Sequence, residues 1–365
     1  MINLIIHLGG KALITLRELA EALGVSTATV SNAIKGKGRM NPEKRLKILE
    51  FASERGYDIE NAQSRQHSKN VSIIVEQFGC FFIDTIIEYF CAAAETANVS
   101  VSLHNLNLVT KLQTILPDPG PLKELVRPVF HSVLGSSSGI LYLSQYPRDL
   151  TDIFPKVSLP MVIVLGSTRE AIPCVNYDDA HGAYLATEHL IQAGCKRIAM
   201  VSGPINSISM TKRLSGYQRA LLDGGLPFNP RLIQLSDWLT DSGYLCAKLL
   251  LQQDPRPDGF FCQNDSMAFG AMKAAAEMGL SIPQDIAIVG FDNDRFSAML
   301  SPPLTTIAPP FKELGIKAFE CLQAQMNGTF SEGCKLKCTL IARESSLRVG
   351  LTTKEISPDE SKRQK

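Results

Sequence analysis

From residue 70 to about residue 350 the chain alternates short apolar runs with amphipathic stretches, and this pattern restricts the fold more than any other feature. The apolar runs cover 71–75, 99–103, 139–143, 161–165, 197–202, 232–235, 259–262 and 286–290. Strands of a parallel sheet read this way, because helices cover both faces. The stretches 82–97, 178–193, 213–223, 241–253, 265–278 and 311–326 carry apolar residues at helical spacing. Strict alternation implies right-handed crossovers and doubly wound sheets. The span is large for one such sheet, so an α/β body of two doubly wound lobes facing a cleft is expected. At 45% hydrophobic and 20% charged residues, disorder, collagen and coiled coil are excluded.

The first seventy residues are different. They hold eleven Lys/Arg against seven Asp/Glu, a charge of +4 in a chain whose total is +1. A basic head on a slightly acidic body fits a nucleic-acid contact at one end. Leu16, Leu19, Ala20 and Leu23 form a helical stripe, with Thr15 and Glu18 spaced as a capping box and Gly24 as the stop. Ser26 or Thr27 caps a second helix carrying Ala28, Val30 and Ala33. Asn41-Pro42-Glu43 starts a third, with Leu46, Leu49 and Phe51 as its stripe. Two helices joined by a short Gly-containing turn read as an all-α helix-turn-helix head. Ser26, Thr27, Thr29, Ser31 and Asn32 crowd one side of the second helix, and short polar groups of this kind approach phosphates and base edges. An ordinary three-helix bundle without DNA contact is the alternative.

Residues 58–70 are polar and nearly free of large apolar groups, which marks a linker. The expected organisation is a head over 1–57, a hinge linker over 58–70, a body over 71–350 and a charged, disordered tail over 351–365. The longest N-terminal apolar run, 1–8, is too short to span a membrane and lacks a small-residue cleavage site, so a cytoplasmic protein without membrane contact is expected. Nine scattered cysteines read as reduced thiols, and Cys334 and Cys338 have no second pair to complete a zinc site.

Ligands of doubly wound sheets bind beyond the carboxyl ends of strands. Those positions here hold Phe81-Phe82, Ser207, Ser209 and Arg213, Trp238, Gln263-Asn264-Asp265, and Asp292-Asn293-Asp294. Hydroxyl, amide, carboxylate and guanidinium groups beside aromatic faces suit a small polyhydroxylated or heterocyclic ligand. Helix capping by Asp265 or Asp292, surface exposure of Arg213 and plain packing of Trp238 are the competing readings. No dinucleotide fingerprint, P-loop, nucleophile elbow or metal-spaced histidine pair is present, so neither an enzyme nor a cofactor or metal is expected. The 135–139 Gly-Ser run precedes a strand and reads as a loop.

From residue 14 to about 348 the chain resembles the LacI/GalR family of bacterial transcription regulators. The resemblance rests on the head run 15–32 (Thr-Leu-Arg-Glu-Leu-Ala-Glu-Ala-Leu-Gly-Val-Ser-Thr-Ala-Thr-Val-Ser-Asn). In the body it rests on 182–190, Arg213-Leu-Ser-Gly-Tyr217, Asn264-Asp265, Val289-Gly-Phe-Asp292 and Pro302-Pro-Leu-Thr-Thr-Ile307.

The resemblance implies a sequence-specific transcriptional regulator, a repressor in most readings, that binds double-stranded operator DNA under control of a sugar-like effector. A purine-type effector is the alternative, as is a cytosolic sugar-binding receptor without DNA function. It implies a body like the periplasmic sugar-binding proteins and a homodimer or dimer of dimers that reads a pseudo-palindrome. Ser26, Thr27, Ala28, Ser31 and Asn32 would face the major groove, with Thr15, Arg17, Lys35, Arg39 and Asn41 near backbone or base edges. The effector site would use Phe81 or Phe82, Ser207, Ser209, Arg213, Trp238, Asn264, Asp292 and Phe311.

The chain departs from the family at four places. In the hinge, Asn61, Ser64 and Arg65 fall into the family pattern with a one-residue insertion, but no Pro is present and His67, or Gln66 without the insertion, stands where a Leu wedges the minor groove. Ala28 replaces a longer polar residue on the second helix. Gly166 stands where many sugar-binding members carry an Asp. The opening 1–13 has no family counterpart.

Overall fold

Local signals in the first seventy residues act as their spacing predicts. In the computed structural model, the Thr15 hydroxyl accepts the Glu18 amide at 3.3 Å while the Glu18 carboxylate accepts the Thr15 amide at 2.7 Å. This capping box opens α1 (Leu16–Ala22). Gly24 turns the chain at φ +61°, and α2 (Thr27–Lys35) begins at Ser26, whose hydroxyl accepts the Thr29 amide at 3.1 Å. α3 (Pro42–Glu54) begins at Asn41, whose side-chain oxygen accepts the Glu43 amide at 2.9 Å. The structure describes residues 14–35, 40–55, 57, 69–114, 117–156 and 159–348. Arg39 and the hinge positions Asn61, Ser64, Arg65 and His67 lie outside them.

Leu19, Ala20, Val30, Ala33, Ile34, Ile48 and Ala52 form the core of this small unit. The third helix thus buries Ile48 and Ala52, with Leu49 and Phe51 only partly covered. The expected contribution of Leu46 is corrected: it points outward, 57% exposed. Arg45 on α3 donates from Nε to the Ala33 carbonyl at 3.0 Å, tying α3 to the carboxyl end of α2, where a cation is favoured.

The chain divides into two units, Met1–Lys69 and Asn70–Lys365. The second contains two six-stranded sheets. The first lobe holds β1 (Asn70–Val75), β2 (Ser100–Asn105), β3 (Gly139–Asp149), β4 (Met161–Ser167) and β5 (Cys174–Tyr177). The second holds β6 (Ile198–Ser202), β7 (Ile233–Leu235), β8 (Gly259–Cys262), β9 (Ala287–Phe291) and β10 (Thr305–Ala308). Near its end the chain returns a strand to each lobe: β11 (Cys334–Leu336) pairs parallel with β5, and β12 (Thr339–Ile341) pairs antiparallel with β10. The orders are β11-β5-β4-β3-β1-β2 and β12-β10-β9-β8-β6-β7, so the direction of winding switches between β3 and β1 in one lobe and between β8 and β6 in the other.

Helices α4 (Phe81–Thr96), α5 (Leu108–Leu112), α6 (Pro119–Val133) and α11 (Phe311–Met326) cover the first sheet. Helices α7 (Asp179–Gln192), α8 (Ile208–Asp223), α9 (Thr240–Leu251) and α10 (Asp265–Glu277) cover the second. All eight apolar runs are strands; seven end within two residues of expectation, and β3 runs on to Asp149, six residues past the expected end. Four strands went unread: β5, β10, β11 and β12 are three or four residues long, and β10 buries two threonines. Helix α6 was hidden by Pro119, Gly120, Pro121 and an interior Pro128. Helix α8 starts at Ile208, not at 213. The nine cysteines are free.

Candidate nucleic-acid interface and effector cleft

On α2 the apolar side is fully used: Val30, Ala33 and Ile34 are buried at 0–1% exposure. The opposite side remains outward. Ser26, Thr27, Ala28 and Asn32 are exposed, and Thr29 and Ser31 are half-buried. The face expected to meet a groove is therefore free of protein. Other expected DNA contacts are partly engaged within the fold. The Thr15 hydroxyl and the Asn41 amide oxygen serve as caps, and Arg17 pairs with Glu21 at 3.2 Å on an exposed helix face. Lys35 ends α2.

In the body, the carboxyl ends of the strands converge on a cavity of about 420 Å³. Of the nine expected effector residues, Phe81, Phe82, Ser209, Arg213, Trp238, Asn264, Asp292 and Phe311 line it. Ser207 does not; it is buried and caps α8, accepting the Met210 amide at 3.3 Å. A larger hollow of about 660 Å³ lies against α6 and the start of β4, lined by Lys123, Arg127, Lys156, Asp152 and Glu170 above an apolar floor. The 420 Å³ cavity is the better candidate, since buried polar groups and aromatic rings from both sheets meet there.

Arg213 sits at its centre, 4% exposed. Its Nε donates to Asp179 at 2.7 Å, one Nη to the Gln263 carbonyl and the other to the Tyr177 hydroxyl at 3.0 Å. The guanidinium lies 3.7 Å from the Phe291 ring centre and 5.6 Å from that of Trp238, so its charge is held between aromatic faces. Asp292 stands 3.8 Å away. Burial pushes its carboxyl up to about 7; Arg213 pulls it down, while Asp179 and Asp294 push it further up. Asp292 has φ 107° and Asn293 φ 52°, backbone strain of a kind that clusters where a site is shaped. Asp265 opens α10 as a helix start, accepting Thr306 Oγ1 at 2.6 Å and the Asp294 amide at 2.7 Å, and burial raises its carboxyl well above the usual range.

The apolar walls come from both lobes. Phe81 and Phe82 at the start of α4 pack on Phe311 at the start of α11, with ring centres 5.7 and 5.5 Å apart. Opposite them Tyr146 and Trp238 lie nearly parallel, 6.5 Å between centres and 11° between planes. Trp238 has φ 75° and packs on Gly203, where a side-chain carbon would overlap its ring. Asn264 fixes this arrangement: its amide donates to the Trp238 carbonyl at 2.9 Å while its oxygen caps α10.

Sequence reasoning singled out Asp294 and missed Cys80, Gln145, Tyr146, Leu165, Tyr177 and Asp237 at the cleft. Gln145 and Tyr146 follow the 139–143 run directly and were open to the same rule that found the others; Tyr177 ends an unread strand. Behind them Glu76, fully buried, accepts Tyr142 and Ser144 hydroxyls and the Gln145 amide and pairs with Arg148 at 3.0 Å. Gly166 is closed rather than open. A side chain there would meet the Ile163 and Leu150 methyls at 2.7 and 2.8 Å, so an Asp would require both neighbours to shift.

A helix whose polar side is exposed, and a two-lobed body with a polar cleft, fit a ligand-responsive DNA-binding regulator. The chain belongs to the LacI family of bacterial regulatory proteins, whose model matches residues 15–58, while a periplasmic binding protein-like domain model matches 187–346. It is 30% identical over 323 residues to catabolite control protein A of Priestia megaterium, covering 86% of this chain and 93% of that one. It is 30% identical over 315 residues to the ribose operon repressor of Haemophilus influenzae, covering 84% and 90%. It is 29% identical over 319 residues to the transcriptional repressor PurR of Pasteurella multocida, covering 86% and 92%. The solved transcriptional regulator CelR in complex with cellobiose superposes with TM-score 0.64 at 25% identity, covering 91% of this chain and 99% of that one. The lac repressor dimer bound to operator and an anti-inducer shares the fold at TM-score 0.73 and 24% identity, covering 92% and 100%. The protein is thus a DNA-binding transcriptional regulator under small-molecule control, not an enzyme. No helix among the described residues is long and apolar enough to cross a membrane.

Proposed function

We infer that the protein is a homodimeric repressor whose operator affinity is set by a sugar-like effector bound in the 420 Å³ cleft. The observation that carries the effector assignment is the pairing of a buried, fully oriented Arg213 and Asp292 with aromatic faces on two sides. Sugar rings present hydroxyls to polar groups at their edge and C–H faces to aromatic rings. The relatives fit this reading: one is a ribose operon repressor, and one solved neighbour holds cellobiose.

In the head, Ser26, Thr27, Ala28, Ser31 and Asn32 would read base edges, with Thr15, Arg17, Lys35, Arg39 and Asn41 near the phosphates. Two heads of a dimer then read a pseudo-palindrome. The 58–70 segment, with Asn61, Ser64, Arg65 and His67, would connect effector state to DNA grip, a coupling typically of about 1–3 kcal/mol.

Fluorescence-anisotropy titration of full-length protein against operator-length duplexes from its own promoter region tests the reading. Specific binding should weaken by about 0.9 log units per neutralised phosphate for each log unit of salt. Equal affinity for random duplex would refute it.

A further inference from the structure

The charges around the cleft do not balance. Among the described residues that line it, Arg213 is the single basic side chain, while Asp237, Asp292 and Asp294 are acidic. Three of the five N–H donors of Arg213 are already committed. Asp179, the Gln263 carbonyl and the Tyr177 hydroxyl engage donors on all three nitrogens, and Asp292 stands 3.8 Å from one of them. Helix starts attract anions, yet α10 opens with Asp265 and α4 carries Asp84 in its first turn. An entering phosphate or carboxylate would therefore meet the half-buried Asp292 and Asp294 and, at the exposed edge, Asp237, whose carboxylate accepts the Leu239 amide and the Ser242 hydroxyl, and would find the one lining cation already paired with Asp179.

The remaining polar groups on the wall are neutral. The Gln145 Oε1 acceptor and the Trp238 Nε1 donor are both buried without a hydrogen-bond partner, on side chains 5% and 7% exposed. Unmatched groups of this kind call for a ligand that both donates and accepts. A hydroxyl does both; a phosphate dianion only accepts.

Building on the effector reading above, we propose that the cleft selects an uncharged, hydroxyl-bearing ring compound and rejects its phosphorylated or carboxylated counterparts. The Asp237, Asp292 and Asp294 carboxylates are the discriminating groups, and Gln145 is a further ligand contact. The regulator thus responds to a free sugar or comparable polyol rather than to the acid or phosphate ester that a kinase or oxidase would make from it.

Matched pairs test this on the full-length protein at pH 8. The probes are D-glucose with glucose 6-phosphate, D-ribose with ribose 5-phosphate, D-galactose with galacturonate, and cellobiose with cellobionate, with inorganic phosphate as control. Thermal shift finds the binders and calorimetry ranks them. The neutral member of at least one pair should bind, and its anionic partner should bind at least tenfold more weakly. The double variant D237N/D294N should narrow that gap, and Gln145→Leu should weaken the neutral ligand. An anionic member binding as tightly as its neutral partner overturns the proposal, and so does a panel in which no neutral ring binds. Operator titrations with the same compounds separate the two readings. An anionic compound that binds and shifts operator affinity defeats the charge argument alone; a neutral one that binds without shifting it defeats the effector-controlled regulator.

Discussion

Arg213 and Asp179 form a buried ion pair, Nε to Oδ1 at 2.7 Å, with side chains 4% and 2% exposed. The pair joins the first turn of α7 to the first half of α8, through two residues 34 apart along the chain. Its function is orientation: with Nε fixed by Asp179, the remaining guanidinium edge turns toward Tyr177 and Asp292 at the cleft. Asp179→Asn removes the charge that matches a buried cation, which typically costs about 3–5 kcal/mol. The urea midpoint of the body should fall accordingly, and effector affinity with it. A variant with unchanged midpoint and unchanged ligand binding would show that the pair neither stabilises nor orients.

Gly203 and Trp238 share one volume. Replacing Gly203 by Ala places a methyl inside the indole ring's position, so the ring must move. Overpacking of this kind costs about 1–3 kcal/mol. Trp238 is the single tryptophan, so its emission reports the displacement directly. Gly203→Ala should shift the emission maximum and weaken the cleft ligand; an unaltered spectrum would mean that the ring is not held where Gly203 meets it.

Asp292 gives the body a pH-dependent stability. Its folded-state value is raised from 3.8 to about 7, chiefly by burial. Between these values the folded state holds a proton that the unfolded chain releases, so stability is highest below the lower value and falls as pH rises toward 7. The ceiling for this group is about 4 kcal/mol at 1.36 kcal/mol per pH unit. Asp265 is raised as well, chiefly by burial, and acts in the same direction. Chemical denaturation at pH 5.5 and 8 should show lower stability at pH 8, and Asp292→Asn should flatten the slope. A wild-type slope of opposite sign would contradict the assignment.

The two faces of α2 separate binding from stability. Asn32 is exposed and Val30 is fully buried. Asn32→Ala should cost about 1–3 kcal/mol of operator discrimination with little change in melting of the head. Val30→Ala should lower head stability, toward the lower end of the 2–5 kcal/mol range for larger aliphatic truncations in a core. Anisotropy titration and circular dichroism of the full chain distinguish them. Loss of folding in Asn32→Ala would make that residue structural.

Much of this protein is determined by local pattern. Caps at Thr15, Ser26 and Asn41, the stop at Gly24 and eight continuous apolar runs depend only on neighbours in the chain, so periodicity and side-chain chemistry specify the head and most of both sheets. The rule that ligands lie beyond strand ends also found Phe81, Phe82, Ser209, Arg213, Trp238, Asn264, Asp292 and Asp294 on the cavity wall, and the family resemblance added Phe311. Tertiary structure alone decided the rest. Ser207 turned inward to cap α8, and Tyr177 reached Arg213 from a four-residue strand that owes its existence to partners on either side. The imbalance of charge at the cleft was decided there too, because Asp237 comes from one loop and Asp292 and Asp294 from another, and only the folded sheet brings them beside one already paired arginine. Burial and distance set those interactions, and neither is a property of residues taken in order along the chain.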